Sequence, residues 1–137
     1  MSIANEGPVS IDEIDDRVLA LCISRSYKKG MSEDALYECT RGVWRLSRER
    51  AEEAKYIFAV FEGTILDVYA ADHWDVAFTT PYDCRTFTED EQEQTSGRRY
   101  EFVRKTVPNE VRTKYRNRQM VVRFFGPVRY INWDDKR

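Results

Sequence analysis

The sequence predicts a small α+β domain: a mixed, mainly antiparallel β-barrel or curved sheet with two or three short helices. Three observations point there. Residues 56–61 and 64–70 are β-rich runs joined only by Glu62-Gly63, which leaves room for a tight hairpin and none for a crossover. Within the first run Ile57, Ala59 and Phe61 alternate with Tyr56, Phe58 and Val60, so both faces are apolar. Such a strand is central in a sheet or lines a closed barrel. Further short apolar runs precede and follow the hairpin, giving six strands in all, enough for a small mixed barrel.

A chain of 137 residues suffices for one domain that buries most of its apolar surface without cross-links. The expected division is a leader over 1–16, a single domain over 17–133 and a tail over 134–137. No apolar run reaches the length of a membrane-spanning helix. The N-terminus has neither the basic start nor the apolar run of a secretion signal, so cytoplasm is the expected compartment and no membrane partner is expected. Cys22, Cys39 and Cys84 are odd in number and widely spaced, which suits neither a disulfide framework nor a zinc site.

In chain order, 17–24 reads as a buried strand after an acidic lead-in, although Ser10 with Glu13 also resembles a capping box opening a helical stripe. A helix follows at about 32–42. Ser32 is its expected N-cap, Glu33 and Asp34 suit the positive end of the helix dipole, and Leu36, Cys39, Thr40 and Val43 share a face. Glu38 and Arg41 stand three apart and could pair, and Gly42 permits a sharp exit. Trp44 then reads in two ways: as a core plug locking the helix onto the sheet, or with Arg41 as the mouth of a pocket. A charged helical turn or two follows from Ser47, and the hairpin comes next. Residues 75–98 are the least regular, with a turn at 79–83 and an acidic run at 89–94 expected to be a solvated loop. A half-buried strand at 99–103, a short helix from Pro108 to about Tyr115, a turn at Arg116-Asn117 and strands at 120–125 and 128–133 complete the order.

The net charge of −2 conceals an asymmetry: residues 98–137 hold 12 Lys and Arg against 4 Asp and Glu, and residues 1–97 hold 10 against 20. Clustered cations are a sequence-level mark of a nucleic-acid partner. The alternative is that the two halves neutralise each other across the fold. His73 follows a strand beside Asp72 but has no serine or cysteine partner nearby, and surface or capping duty is the plainer account. With no Gly-rich phosphate loop and no metal-ligating cluster, no catalytic, cofactor-binding or metal-binding residue is assigned and no cofactor is expected.

The stretch Tyr37-Glu38-Cys39-Thr40-Arg41-Gly42-Val43-Trp44, followed by Ala54-Lys55-Tyr56-Ile57-Phe58-Ala59-Val60 and Gly63, resembles small phage and bacterial domains of PUA-like type. These are the barrels grouped with EVE, YTH and ASCH domains, sometimes found beside nuclease modules of the GIY-YIG kind. Arg99-Tyr100-Glu101-Phe102-Val103, Lys114-Tyr115-Arg116-Asn117 and Pro127-Val128-Arg129-Tyr130-Ile131-Asn132 look like the second half and the closing strand. The resemblance covers roughly 17–133. Two departures are a longer, more acidic stretch at 79–97 and a short approach through Phe124-Phe125-Gly126.

The resemblance implies a nucleic-acid-binding module for RNA or DNA, with the reading of a modified or flipped base as its more specific form. That mode needs aromatic platforms and phosphate-binding cations. Trp44 and Trp74 are the candidate platforms, Arg41 is a candidate cation beside them, and Arg98, Arg99, Arg104, Lys105, Arg112, Lys114, Arg116 and Arg118 are the candidate basic stripe. The alternative is a phage or bacterial protein-interaction factor that uses the acidic run on a host protein. A nucleic-acid-modifying enzyme ranks third.

Overall fold

The computed structural model describes residues 7–24, 26–95, 99–121 and 126–133. β1 (Val9–Ser10) leads through one 3-10 turn to β2 (Val18–Cys22), and helices α1 (Glu33–Arg41) and α2 (Arg48–Glu52) follow. After them come β3 (Tyr56–Phe61), β4 (Thr64–Val76), α3 (Glu89–Thr95), β5 (Tyr100–Lys105), α4 (Asn109–Tyr115), β6 (Met120–Val121) and β7 (Val128–Ile131). Five strands form one sheet in the order β5-β4-β3-β2-β7, in which only β2 and β3 run parallel; β1 and β6 make a separate parallel pair.

The mixed α+β class and the central hairpin are as expected, but among the described residues the sheet is open and does not close into a barrel. Its edges are β5 and β7. The connection from β2 to β3 is a crossover, as parallel neighbours need, and it carries α1 and α2 over one face. There Leu19, Leu21, Ile57, Ala59 and Phe102 pack with Cys39 of α1 and Ala51 of α2. The alternate residues Val18, Ala20, Phe58, Val60 and Val68 turn to the other face, against Tyr115 of α4, Val9 of β1 and Met120 of β6. A sheet covered on both faces needs strands apolar on both faces, and that is what β2 and β3 supply.

Glu62 and Gly63 have φ of 49° and 81°, the two positive values of a type I′ hairpin turn. Asn117, φ 65°, takes the left-handed position at the end of α4. β4 runs beyond the expected limit of residue 70 to Val76. Its register shifts opposite Ala59/Val60 and again at Ala71/His73, and these irregularities bend it from its partner β3 to its partner β5. The acidic run is a helix, not a loop. The Thr88 hydroxyl accepts from Glu91 N–H at 3.1 Å and the Glu91 carboxylate accepts from Thr88 N–H at 3.0 Å, a reciprocal capping box at the start of α3. Of the strand expected at 120–125, Met120–Val121 is observed, and Phe124-Phe125, Arg98, residues 1–6 of the leader and the tail 134–137 lie outside the described residues.

Candidate nucleic-acid interface

Helix α1 starts as its sequence predicts: the Ser32 hydroxyl accepts from Ala35 N–H at 3.1 Å. Its end departs from expectation. Gly42 is extended, with φ −167°, so left-handed freedom is not what the position uses. It uses the missing side chain: a Cβ there would strike the Tyr82 hydroxyl and lie 2.7 Å from Glu101 Cβ. The chain therefore passes close over β5, and Trp44 N–H donates to the Tyr100 carbonyl at 2.9 Å while Tyr100 N–H returns a bond to the Trp44 carbonyl at 2.8 Å. The indole Nε1–H donates to the Thr40 carbonyl at 2.6 Å.

So held, the half-buried indole is shared between the core and an open groove, and Arg41, its expected companion at a pocket mouth, is not among the groove's walls. The indole packs against the core on the α1 face, and it lines a groove of about 630 Å³. The other walls come from Cys22 and Ile23 at the end of β2, from Pro127 before β7, and from Arg45, Arg85 and Arg99. Among the described residues the side chains of Arg45 and Arg99 have neither a hydrogen bond nor an ion pair.

Arg85 is fixed. Its Nη1 donates to the carbonyls of Glu38 at 3.2 Å and Gly42 at 2.6 Å, at the negative end of α1. The loop that carries it hangs on buried charges. The Glu38 carboxylate accepts from the N–H groups of Asp83, at 3.0 Å, and Cys84, at 2.7 Å. Glu101 accepts from Phe78 N–H at 3.0 Å, Thr80 N–H at 2.8 Å and the Tyr82 hydroxyl at 3.1 Å. Arg41 donates to the Thr80 and Pro81 carbonyls at 3.3 and 2.8 Å, and its guanidinium lies 3.7 Å from the centroid of the Tyr82 ring. Burial, first, and the neighbouring carboxylate of Glu101 push the Tyr82 phenol well above its usual range, so it stays a neutral donor. Glu38 and Arg41 thus do not pair with each other. Each grips the 78–85 loop.

Two of the sequence-predicted residues, Trp44 and Arg99, meet in the groove. The others do not. Trp74 is fully buried, its ring 5.1 Å from that of Phe102, and offers no face to a base. Arg41 lies beneath the loop. Arg104 sits 4.3 Å over the Tyr37 ring and 3.4 Å from Asp34. Arg112 makes a two-pronged pair with Asp67, both bonds 3.0 Å, and Arg116 reaches the same carboxylate at 3.7 Å. Lys114 Nζ lies 5.1 Å from the Tyr115 ring centroid. Arg118 is 4% exposed and spends its guanidinium on Glu13 and on the carbonyls of Gly7, Pro8 and Lys114. The expected stripe is no single face, because much of its charge is matched by carboxylates of the acidic half. Arg45 and Arg85 escape the sequence reading, which also gives Glu101 no role and Glu38 only a pairing with Arg41. No local spacing marks the roles they take, since strand pairing and loop return bring them together.

His73 is exposed between its neighbours, with Nδ1 2.7 Å from Asp72 and Nε2 3.1 Å from Asp75. The hydrogen bond to Asp72, more than any other cause, raises its pKa. Among the described residues no group of three or more His, Cys, Asp and Glu is arranged to hold a metal ion, and no helix is long and apolar enough to cross a membrane. Comparison of the chain with family models, curated proteins and solved structures finds no match.

Proposed function

We propose that this protein binds nucleic acid in the groove beside Trp44, an unpaired base lying against the indole and its phosphates on Arg45, Arg85 and Arg99. One observation carries the reading: two arginines without a partner among the described residues, and a third pinned by backbone carbonyls, line the same groove of ligand size as one aromatic ring. Arginine suits the task, since its planar fork bonds phosphate in two places and stacks on rings. The PUA-like resemblance supports the same class of partner, with base reading as its finer form, although the open sheet is not the barrel it implies.

The test is a binding screen of single- and double-stranded RNA and DNA, with and without modified bases, at two salt concentrations. Salt-sensitive binding that loses roughly one to two units of salt slope in the Arg45→Ala/Arg99→Ala variant supports the reading. No salt-dependent binding to any of these probes overturns it. The protein-interaction reading would then lead, because the carboxylates of α3 are exposed on a capped helix.

A further inference from the structure

We infer that the ligand is a single strand that lays a second base in a neighbouring cavity, with Arg85 under the phosphate between the two bases. This deepens the nucleic-acid reading and rests on it. Arg85 lines both hollows: the Trp44 groove on one side and, on the other, a cavity of about 550 Å³. Phe78, Tyr82 and Phe87 form the aromatic wall of the second cavity, with ring centroids 4.9 to 6.0 Å apart in edge-to-face pairs. Thr86 and Gln92 on its rim add groups that can bond a base edge. The Arg85 guanidinium stands 4.7 Å from the Phe87 centroid and is held from behind by the α1 carbonyls, so one fixed cation separates two aromatic hollows. That is the arrangement of a stacking platform that follows a strand.

The surroundings select against a duplex. Bases that enter two separate hollows must be unpaired and unstacked. Asp83 lines the second cavity, and the exposed carboxylates of Glu89, Asp90, Glu91 and Glu93 flank Gln92 on α3. A second phosphate backbone brought to this rim would meet carboxylates of its own sign. Charges of one sign repel over about 10 Å at ordinary salt.

The experiment measures affinities of a mononucleotide, a dinucleotide, a tetranucleotide and a duplex by calorimetry, in RNA and DNA form, for the parent and two variants. Phe87→Leu keeps an apolar side chain and removes the ring. Gln92→Glu changes an exposed rim residue outside the core. For the parent, the dinucleotide is expected to bind about tenfold tighter than the mononucleotide, and the duplex no better than the mononucleotide. Phe87→Leu should abolish the dinucleotide gain and leave mononucleotide affinity unchanged. Gln92→Glu should weaken dinucleotide binding alone, which keeps the test intact where Phe87→Leu fails to fold. If dinucleotide and mononucleotide bind alike, if the gain survives in the folded variants, or if the duplex binds best, the two-cavity inference falls, while salt-sensitive binding that needs Trp44 leaves the groove reading standing. If nothing binds, both fall.

Discussion

Arg41 Nη1 lies 3.0 Å from Glu101 Oε1, with both side chains all but sealed from solvent. The pair joins the last turn of α1 to the second residue of β5, and its remaining bonds go to the loop between them. Removing one member leaves the other charge buried, so Arg41→Ala is expected to cost roughly 3–5 kcal/mol in chemical denaturation. The double variant Arg41→Met/Glu101→Leu should cost less than the sum of the two single variants, since no orphaned charge remains. Simple additivity would show that the two side chains act independently.

Trp44 divides its contact between core and groove. Trp44→Ala should therefore cost about 2 kcal/mol in stability, below the roughly 3–5 of a fully buried aromatic, and should abolish nucleic-acid binding in protein that is still folded. Urea unfolding and a binding titration on the same preparation check both halves. Unchanged binding in the folded variant would remove the indole from the site.

Arg112 and Arg116 lie on one face of the α4 end, as residues four apart should, but that face is turned to Asp67. Arg112→Ala should destabilise by roughly 1–3 kcal/mol through loss of its two charge-assisted bonds, and should leave the salt slope of nucleic-acid binding unaltered. A slope that falls by about one unit would return this arginine to the phosphate surface.

The contrast between these residues shows what a sequence displays. The hairpin is legible because Glu62-Gly63 and its flanking alternation are local, and the same holds for the Ser32 cap and for Asn117. Helix α3 is also local. Thr88 and Glu91 stand three apart as a capping box, but the acidic composition between them reads as solvated loop. Trp74 and Arg118 differ in kind. Nothing near them in sequence shows that Phe102 or Glu13 will enclose them, because those contacts depend on strand order. The open sheet is hidden for a related reason: apolar residues on both faces of 56–61 suit a barrel lining and a sandwiched central strand equally, and only the strand order, with β5 and β7 at its edges, decides.

His73 provides a prediction in which pH is the variable. Its hydrogen bond to Asp72, foremost, and the nearby charge of Asp75 favour the imidazolium, so its folded pKa stands above the ordinary value for histidine. A raised pKa means the folded protein holds this proton more tightly than the unfolded chain. The resulting stabilisation is fully present below the unfolded pKa and disappears as pH rises through the folded one. Parent and His73→Ala should therefore differ most in thermal midpoint at about pH 5, below the ordinary histidine value near 6.5, and the difference should shrink steadily as pH is raised through the folded pKa. The difference should be small, because the ring is exposed and its ion pairs are screened. An NMR titration of the single imidazole is the direct check. The midpoint should lie above that of an unstructured peptide and fall towards it in Asp72→Asn, and a midpoint at or below the peptide value would show that the two aspartates do not hold the ring in solution.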